Sequence, residues 1–414
     1  MKAGFARRNI TPAVSMRMAG FDRRTSPSTG CLDPLGVSAL ALKDASGKPF
    51  VFFSYDLLGV DSALCAAVRK ACREALGLAE ERIWVGATHT HSAPSCIFAD
   101  RENYDADYAG LLVRQGAAAA EEALRDCREA VPFFARTLVK GLASRRNRGR
   151  SGADYPMPLL LMRFAREDGE LVLCRFSCHP TVLDETNTLF SRDLPGAALT
   201  VAGAGEHILF LNGACADLST RFTRTASDER ELARLGGLLG EEIRSAGLRA
   251  APELGARIAP AERRLWLDRS AGPSAEERAG LLHVLREKAA SCGDTQVKRE
   301  YDSRIAVLER VQNTADAGRE VLLSAVDLGP AVLFSLPFEV DSADGAFLEE
   351  TLGGLAGKPV YAVCYTGGYD GYLPSGAPLS EESSYEDIAS RYGAEARELI
   401  LECAKQCVLQ ATAR

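Results

Sequence analysis

The residues best suited to chemistry stand in the stretch Ile83-Trp84-Val85-Gly86-Ala87-Thr88-His89-Thr90-His91-Ser92-Ala93-Pro94, where an apolar run ends in two histidines two residues apart. Side chains alternate faces along a strand, so a strand that persists this far projects His89 and His91 from one face. Two converging imidazoles read as half of a metal site or as an acid/base pair. The chain has five histidines in all, which makes the pairing of two at one strand end informative. His179 and Glu339 occupy the same kind of place. One follows the run Leu171 to Phe176, and the other follows Ala331 to Leu336. Zinc accepts imidazole nitrogen and carboxylate oxygen, and a catalytic zinc keeps one position open for water or substrate. Strand ends on one edge of a sheet can meet in space, so His89, His179 and Glu339 form a candidate cluster.

Ser219 lies in the loop Asn212-Gly213-Ala214-Cys215-Ala216-Asp217-Leu218-Ser219-Thr220-Arg221. It reads either as a nucleophile or as turn chemistry, with Asp217 capping the Ser219 or Thr220 amides. No G-x-S-x-G elbow surrounds it, which argues against an α/β-hydrolase. Cys178 and Cys215, beside these residues, read as buried thiols. The basic run Arg145, Arg146, Arg148 and Arg150 is either a binding patch for a carboxylate or phosphate or a solvated loop.

The elements that must position these residues alternate in type. Val37 to Leu42 and Pro49 to Tyr55 read as strands, and a helix capped by Ser62 runs from there to Gly77, before the histidine strand. A helix from Tyr104 to Glu129 and strands at Phe133 to Val139, Pro158 to Phe164 and Leu171 to Phe176 follow. Then come a helix from Leu194, a strand at Ile208 to Leu211, and a long helix from Ser227 to Gly247. A strand from Ile258 leads into a charged helical pair, Ser274 to Ala290 with a capping-box start and Val297 to Gln312. The hairpin of Val321 to Val326 with Ala331 to Leu336, the strand Val360 to Cys364, and a helix from Tyr385 to Ala411 broken near Gly393 complete the chain. The expected class is α/β, with mixed sheets layered by helices in one domain over residues 1–414 and a helical excursion at about 268–316.

Composition narrows the function. At 46% hydrophobic and 25% charged, the 414 residues are those of an ordinary globular protein, and a net charge of −7 gives no general attraction for nucleic acid or anionic lipid. The first residues lack the apolar segment of a secretory signal, and no run approaches the roughly 20 apolar residues of a membrane span. The expectation is a cytoplasmic protein without stable membrane insertion, for which an oligomer of identical chains is allowed. Twelve cysteines are scattered through apolar segments and read as reduced thiols.

Together these motifs resemble the catalytic domain of the neutral/alkaline non-lysosomal ceramidases, zinc amidases that cleave the N-acyl bond of ceramide. The match runs through Asn9-Ile10-Thr11-Pro12, Met18-Ala19-Gly20-Phe21, Ser54-Tyr55-Asp56-Leu57, Thr88-His89-Thr90-His91-Ser92-Ala93-Pro94, Asn147-Arg148, His179-Pro180-Thr181, Arg192-Asp193-Leu194-Pro195-Gly196, Leu336-Pro337-Phe338-Glu339 and Gly371-Tyr372-Leu373-Pro374. The resemblance implies zinc bound by His89, His179, Glu339 and Tyr372. It implies His91 and Arg148 beside the metal as stabilisers of the oxyanion, Ser219 with Asp217 in the nucleophile loop, and Tyr385 as the second tyrosine of the pattern. Tyr369 lies three residues before Tyr372 and is the alternative phenol. Two departures stand out: Ala216 and Thr220 replace the glycine and proline of the ceramidase loop, and the chain stops soon after the tyrosine loop, without the family's C-terminal β-sandwich. The resulting expectation is a zinc-dependent hydrolase of an amide or ester bond in a small or lipid-like acyl substrate, attacked by Ser219 or by water. A true ceramidase and a non-catalytic metal-binding homologue are the alternatives.

Overall fold

The structure, a computed structural model of the 414-residue chain, describes residues 1–21, 23–95, 105–146, 155–203, 207–253, 256–270, 272–310 and 318–413. Three sheets share one plan, antiparallel strands with a single parallel pair at one edge. In the first, Ile83–Ala87, Pro49–Tyr55, Gly36–Lys43 and Lys2–Asn9 lie side by side. Ile208–Asn212, Gly169–Phe176, Met157–Arg166 and Val131–Val139 make the second. The third holds Ala259–Leu267, Arg319–Asp327, Val332–Ser335 and Val360–Val363.

The helices are α1 (Ser62–Leu76), α2 (Ala106–Arg125), α3 (Asp193–Val201), α4 (Glu229–Leu248), α5 (Ala275–Ser291), α6 (Thr295–Arg310), α7 (Ser342–Ala356), α8 (Tyr385–Ala389) and α9 (Glu395–Thr412). A parallel pair needs a crossover connection. Here α1 links Pro49–Tyr55 to Ile83–Ala87, α3 links Gly169–Phe176 to Ile208–Asn212, and α7 links Val332–Ser335 to Val360–Val363.

The apolar runs that mark these strands in the sequence are buried on both faces. Phe50, Phe52, Leu171, Leu173, Leu333 and Val363 meet in a cluster drawn from all three sheets. Their neighbours Val51, Phe53, Val172, Cys174 and Phe334 pack in the other core with the apolar faces of the helices. Strands covered twice lose the alternating polar pattern and read as continuous apolar segments.

Two local expectations shift. The side chain that caps α1 is Asp61, accepting from the Leu64 amide at 2.9 Å, and Ser62 is the first helical residue. The charged helical pair α5 and α6 is inserted into a hairpin, for Leu267 on one side pairs with Arg319 on the other. It has a small core of its own in Leu285 and Leu308, which Ile388 of α8 joins. The capping box at Ser274 and Glu277 is present, and the break near Gly393 separates α8 from α9. Every described cysteine is a free thiol. Among the described residues no helix is long and apolar enough to cross a membrane.

Candidate active site

All six strands of the three parallel pairs send their carboxyl ends to one region, the place where open α/β sheets collect ligands. Backbone bonds tie these ends together, two of them between sheets, Ala87 N to Tyr365 O at 3.1 Å and Cys364 N to Asn212 O at 2.9 Å, and one between the segments that leave the second sheet, His179 N to Leu218 O at 3.0 Å. His89 and His91 follow one strand, His179 another, Glu339 a third, and Tyr365, Tyr369 and Tyr372 a fourth.

The histidine strand does not persist to His91. It ends at Ala87: the Thr88 amide still bonds the last carbonyl of the neighbouring strand, Tyr55 O at 2.8 Å, and the His89 amide then turns to Leu57 O in the loop beyond it, at 2.9 Å. His89 then adopts a left-handed conformation, φ 69°, which costs a non-glycine residue on the order of 1–3 kcal/mol. Convergence of His89 and His91 therefore comes from this turn and not from strand alternation. Tyr365, also left-handed at φ 56°, stacks on the His89 ring with centroids 4.0 Å apart.

The imidazoles are fixed by their far nitrogens. His89 Nδ1 lies 2.7 Å from Leu58 O, and His179 Nδ1 lies 2.8 Å from Cys215 O. A carbonyl can only accept, so both Nδ1 atoms carry the proton and both Nε2 atoms present lone pairs when the rings are neutral. Those two Nε2 atoms are 3.1 Å apart. Glu339 Oε2 reaches into the same spot, 3.2 Å from His89 Nε2 and 3.4 Å from His179 Nε2. It is buried there without a well-formed hydrogen bond. Three lone-pair atoms facing one another at such distances repel unless a cation sits among them, and this donor set is the one zinc accepts. The residues present therefore fit a metal ion.

Burial supports the same protonation pattern. It holds His179 down to about 4 and drives His91 well below its ordinary value, with the His89 and His179 rings adding to the effect. Burial alone would raise Glu339, but the two imidazoles more than offset it and keep the carboxylate ionised.

His91 stands beside the cluster, its Nε2 3.4 Å from His89 Nε2, and its Nδ1 is buried without a partner. One ring nitrogen from each of His89, His91 and His179 can be chosen so that the three lie within 4.8 Å of one another. Gly20 packs so closely on this ring that a Cβ there would meet His91 Cγ at 2.5 Å.

The tyrosines divide the work. Tyr369 Oη donates to Glu339 Oε1 at 2.5 Å. Tyr372 lines the cavity above the cluster, takes a hydrogen bond from Arg146 and meets the Tyr385 ring edge-on at 5.7 Å. Ser219 also faces that cavity, held beside His179 by a β-bridge. Its hydroxyl accepts from the Arg221 amide at 3.3 Å and so caps the short 3-10 turn Thr220–Phe222. Ser219 thus takes part in turn chemistry, one of its two readings, and also lines the cavity.

Asp217 does not cap the Ser219 or Thr220 amides. Its carboxylate accepts from Ser342 N at 2.7 Å and Ser342 Oγ at 2.9 Å and pairs with Arg145 at 3.1 Å, which anchors the serine loop to the start of α7. Of the arginine run, Arg148 lies outside the described residues. Arg146 is the member seen at the cavity, paired with Glu386 at 2.8 Å. Sequence reading named the run but could not single out Arg146, since four arginines in six residues offer no periodicity to separate them. Burial pushes the Cys215 thiol up to about 12 and Cys178 well above its ordinary value, so neither is a thiolate at neutral pH, as the buried-thiol reading expects. The cavity has a volume of about 170 Å³. One of its walls is α6, through Arg299, Glu300, Ser303 and Ala306.

No family model matches the sequence, and no curated protein matches it. Solved structures do match. A ceramidase complexed with C2 superposes with a TM-score of 0.80 at 16% identity over all of this chain and 75% of that one. Neutral ceramidase from Pseudomonas aeruginosa gives 0.79 at 16% identity, over all of this chain and 74% of that one. The chain has the fold of the neutral ceramidases.

Proposed function

We propose that the protein is a zinc-dependent hydrolase of an amide (N-acyl) or ester bond in an acyl substrate, with the metal held by His89, His179, Glu339 and the phenol of Tyr372. The observation that carries this reading is the convergence of the His89 and His179 Nε2 atoms and Glu339 Oε2 on one point, with both Nδ1 protons committed to backbone carbonyls. A bound zinc ion supplies a Lewis acid for an acyl carbonyl and for water.

The remaining roles fall to this chain's own groups. Ser219, on the cavity floor, either attacks the carbonyl or orients the water that does. His91, neutral and buried, takes the proton that the attacking hydroxyl or water gives up and passes it to the leaving group. Arg146 donates toward the charge that develops on the carbonyl oxygen, with Arg148 in the same capacity by resemblance. Tyr372 and Tyr385 wall the acyl side, and Asp217 acts as a positioning residue for the serine loop.

The fold favours a second reading, a true ceramidase on N-acyl-sphingoid lipids. The arginine-rich, compact cavity weighs against a neutral two-chain lipid. The third reading, a metal-binding homologue without activity, is separated by the same experiment. Metal content would be measured by elemental analysis on wild type and His179→Ala, with hydrolysis of N-acyl amines, N-acyl amino acids, ceramide and simple esters by wild type and Ser219→Ala. One zinc per chain that vanishes with His179, together with turnover, is the expected result. Turnover that survives in Ser219→Ala assigns the attack to water, and its loss assigns it to the serine. Metal without turnover on any substrate leaves the binding protein, and neither metal nor turnover overturns the reading.

A further inference from the structure

The cavity over the histidine–glutamate cluster is more cationic than the hydrolysis proposed above requires. Arg23, Arg146, Arg221, Arg224 and Arg299 line it, against the carboxylates of Glu185 and Glu300. Three of these arginines are engaged. Arg146 pairs with Glu386 at 2.8 Å, Arg299 pairs with Glu185 at 2.9 Å, and Arg224 donates to the Val182 carbonyl at 3.1 Å.

Arg221 differs. Among the described residues its guanidinium has no carboxylate within ion-pair distance and donates no hydrogen bond; its one polar contact is made by its backbone amide, to Ser219 Oγ. Burial and the charges of Arg146 and Arg224 act against its positive charge, and Glu300, which stands beyond ion-pair distance, offsets them only in part. A half-buried cation that faces a cavity with no carboxylate in contact is a place for an anion, and a guanidinium pairs with carboxylate or phosphate through two parallel hydrogen bonds. Arginines of one sign around a partly enclosed space also focus the field on whatever enters it. Arg221 and Ser219 share one turn and both line this cavity, so an anion held by Arg221 and a carbonyl presented to Ser219 would occupy the same small space. At about 170 Å³ the space is below the roughly 300–1,000 Å³ of pockets for drug-sized ligands and suits a compact headgroup.

We infer that the site takes a small acyl compound bearing an anionic oxygen group, carboxylate or phosphate, close to the scissile bond, with Arg221 as its anchor. The inference rests on the hydrolase reading given above, and binding tests it separately from turnover. N-hexanoylglycine, the phosphate monoester of N-hexanoylethanolamine and neutral N-hexanoylglycinamide would be titrated calorimetrically into wild type, Arg221→Met and Glu300→Gln. One charged probe is expected to bind about 10- to 100-fold more tightly than the neutral one, the scale of hydrogen bonds to a charged group, and the stronger of the two identifies the anion. Arg221→Met erases the preference, and Glu300→Gln strengthens it. Equal binding of charged and neutral probes, no binding of any probe at millimolar concentration, or a preference that survives in Arg221→Met overturns the inference. The last outcome places the anion on the metal. Metal content and turnover of the neutral amide, measured on wild type alone, report on the hydrolase reading whichever way the titrations fall.

Discussion

Tyr369 is the residue that supports the proposed metal ligands from outside, through Glu339. Its hydroxyl holds Glu339 Oε1 at 2.5 Å, leaving Oε2 aimed at the two Nε2 atoms. Groups in this supporting position tune affinity by about 10- to 100-fold, so Tyr369→Phe is expected to weaken metal binding about tenfold in a chelator competition while leaving the metal stoichiometry at saturation unchanged. Asp193 gives a second prediction at this scale. It accepts from the Val182, Leu183 and Leu194 amides, yet burial pushes its carboxyl from 3.8 up to about 6. The native state therefore holds this proton more tightly than the unfolded state does. The stability it contributes is fully present below about pH 4 and is lost as pH rises through about 6, by roughly 3 kcal/mol in total. Asp193→Asn removes that loss. In urea unfolding of metal-stripped protein, the variant is expected to gain on wild type between pH 4 and pH 7, and parallel curves would refute the assignment. His89, His179 and Glu339 were legible in the sequence because a polar residue directly after an apolar run marks a strand end. Tyr369 was not separable from Tyr372, because the glycine-rich loop that carries both has no period from which an orientation can be read. Nor could the left-handed turn at His89 be foreseen, since any L-residue can be forced there by its neighbours.

Among the elements, α3 and α4 pack closely enough for glycine to decide the contact. A Cβ on Gly240 would meet Ala198 O at 2.6 Å and Val201 Cβ at 2.7 Å, whereas one on Gly237, three residues earlier on the same helix, meets nothing within 4 Å. Alanine is the better helix former by about 0.5–1 kcal/mol, so Gly237→Ala should stabilise the protein by that amount. For Gly240→Ala the overlap with α3 outweighs propensity, and a net loss of about 1–3 kcal/mol is expected. Chemical denaturation of the pair checks both signs at once. The strands and helices themselves were legible, because strands buried on both faces read as apolar runs and helices as amphipathic ones. Which strands pair was not, for the order that brings Ile208–Asn212 beside Gly169–Phe176 and Val360–Val363 beside Val332–Ser335 depends on contacts between segments whose local patterns are alike. The α5–α6 pair shows the same limit: its charged sequence marks an excursion, yet nothing in it tells that α6 turns Arg299 and Glu300 toward the cavity.

At the scale of the molecule, three sheets supply the candidate metal ligands and an inserted helical pair supplies one wall of the cavity above them, so the proposed metal binding and substrate enclosure would belong to separable parts. Leu267 and Arg319 are paired across the insertion, and the strands they end could be joined by a short turn without changing register. Ser270, whose amide bonds to Arg391 O at 2.9 Å, stays in place if only residues 271–317 are replaced. Such a protein loses Arg299, Glu300 and the small core around Leu285 and Leu308, but none of His89, His179, Glu339, Tyr369 or Tyr372. It is expected to keep its metal stoichiometry and to lose enclosure. Substrate ordered by the α6 wall would then bind at least about tenfold more weakly, the scale of one lost charged contact, and KM would rise more than kcat falls. Elemental analysis with steady-state kinetics measures both. Loss of the metal together with the helices would show instead that the insertion holds the strand ends in register, and the division between a sheet-borne centre and a helical wall would have to be abandoned.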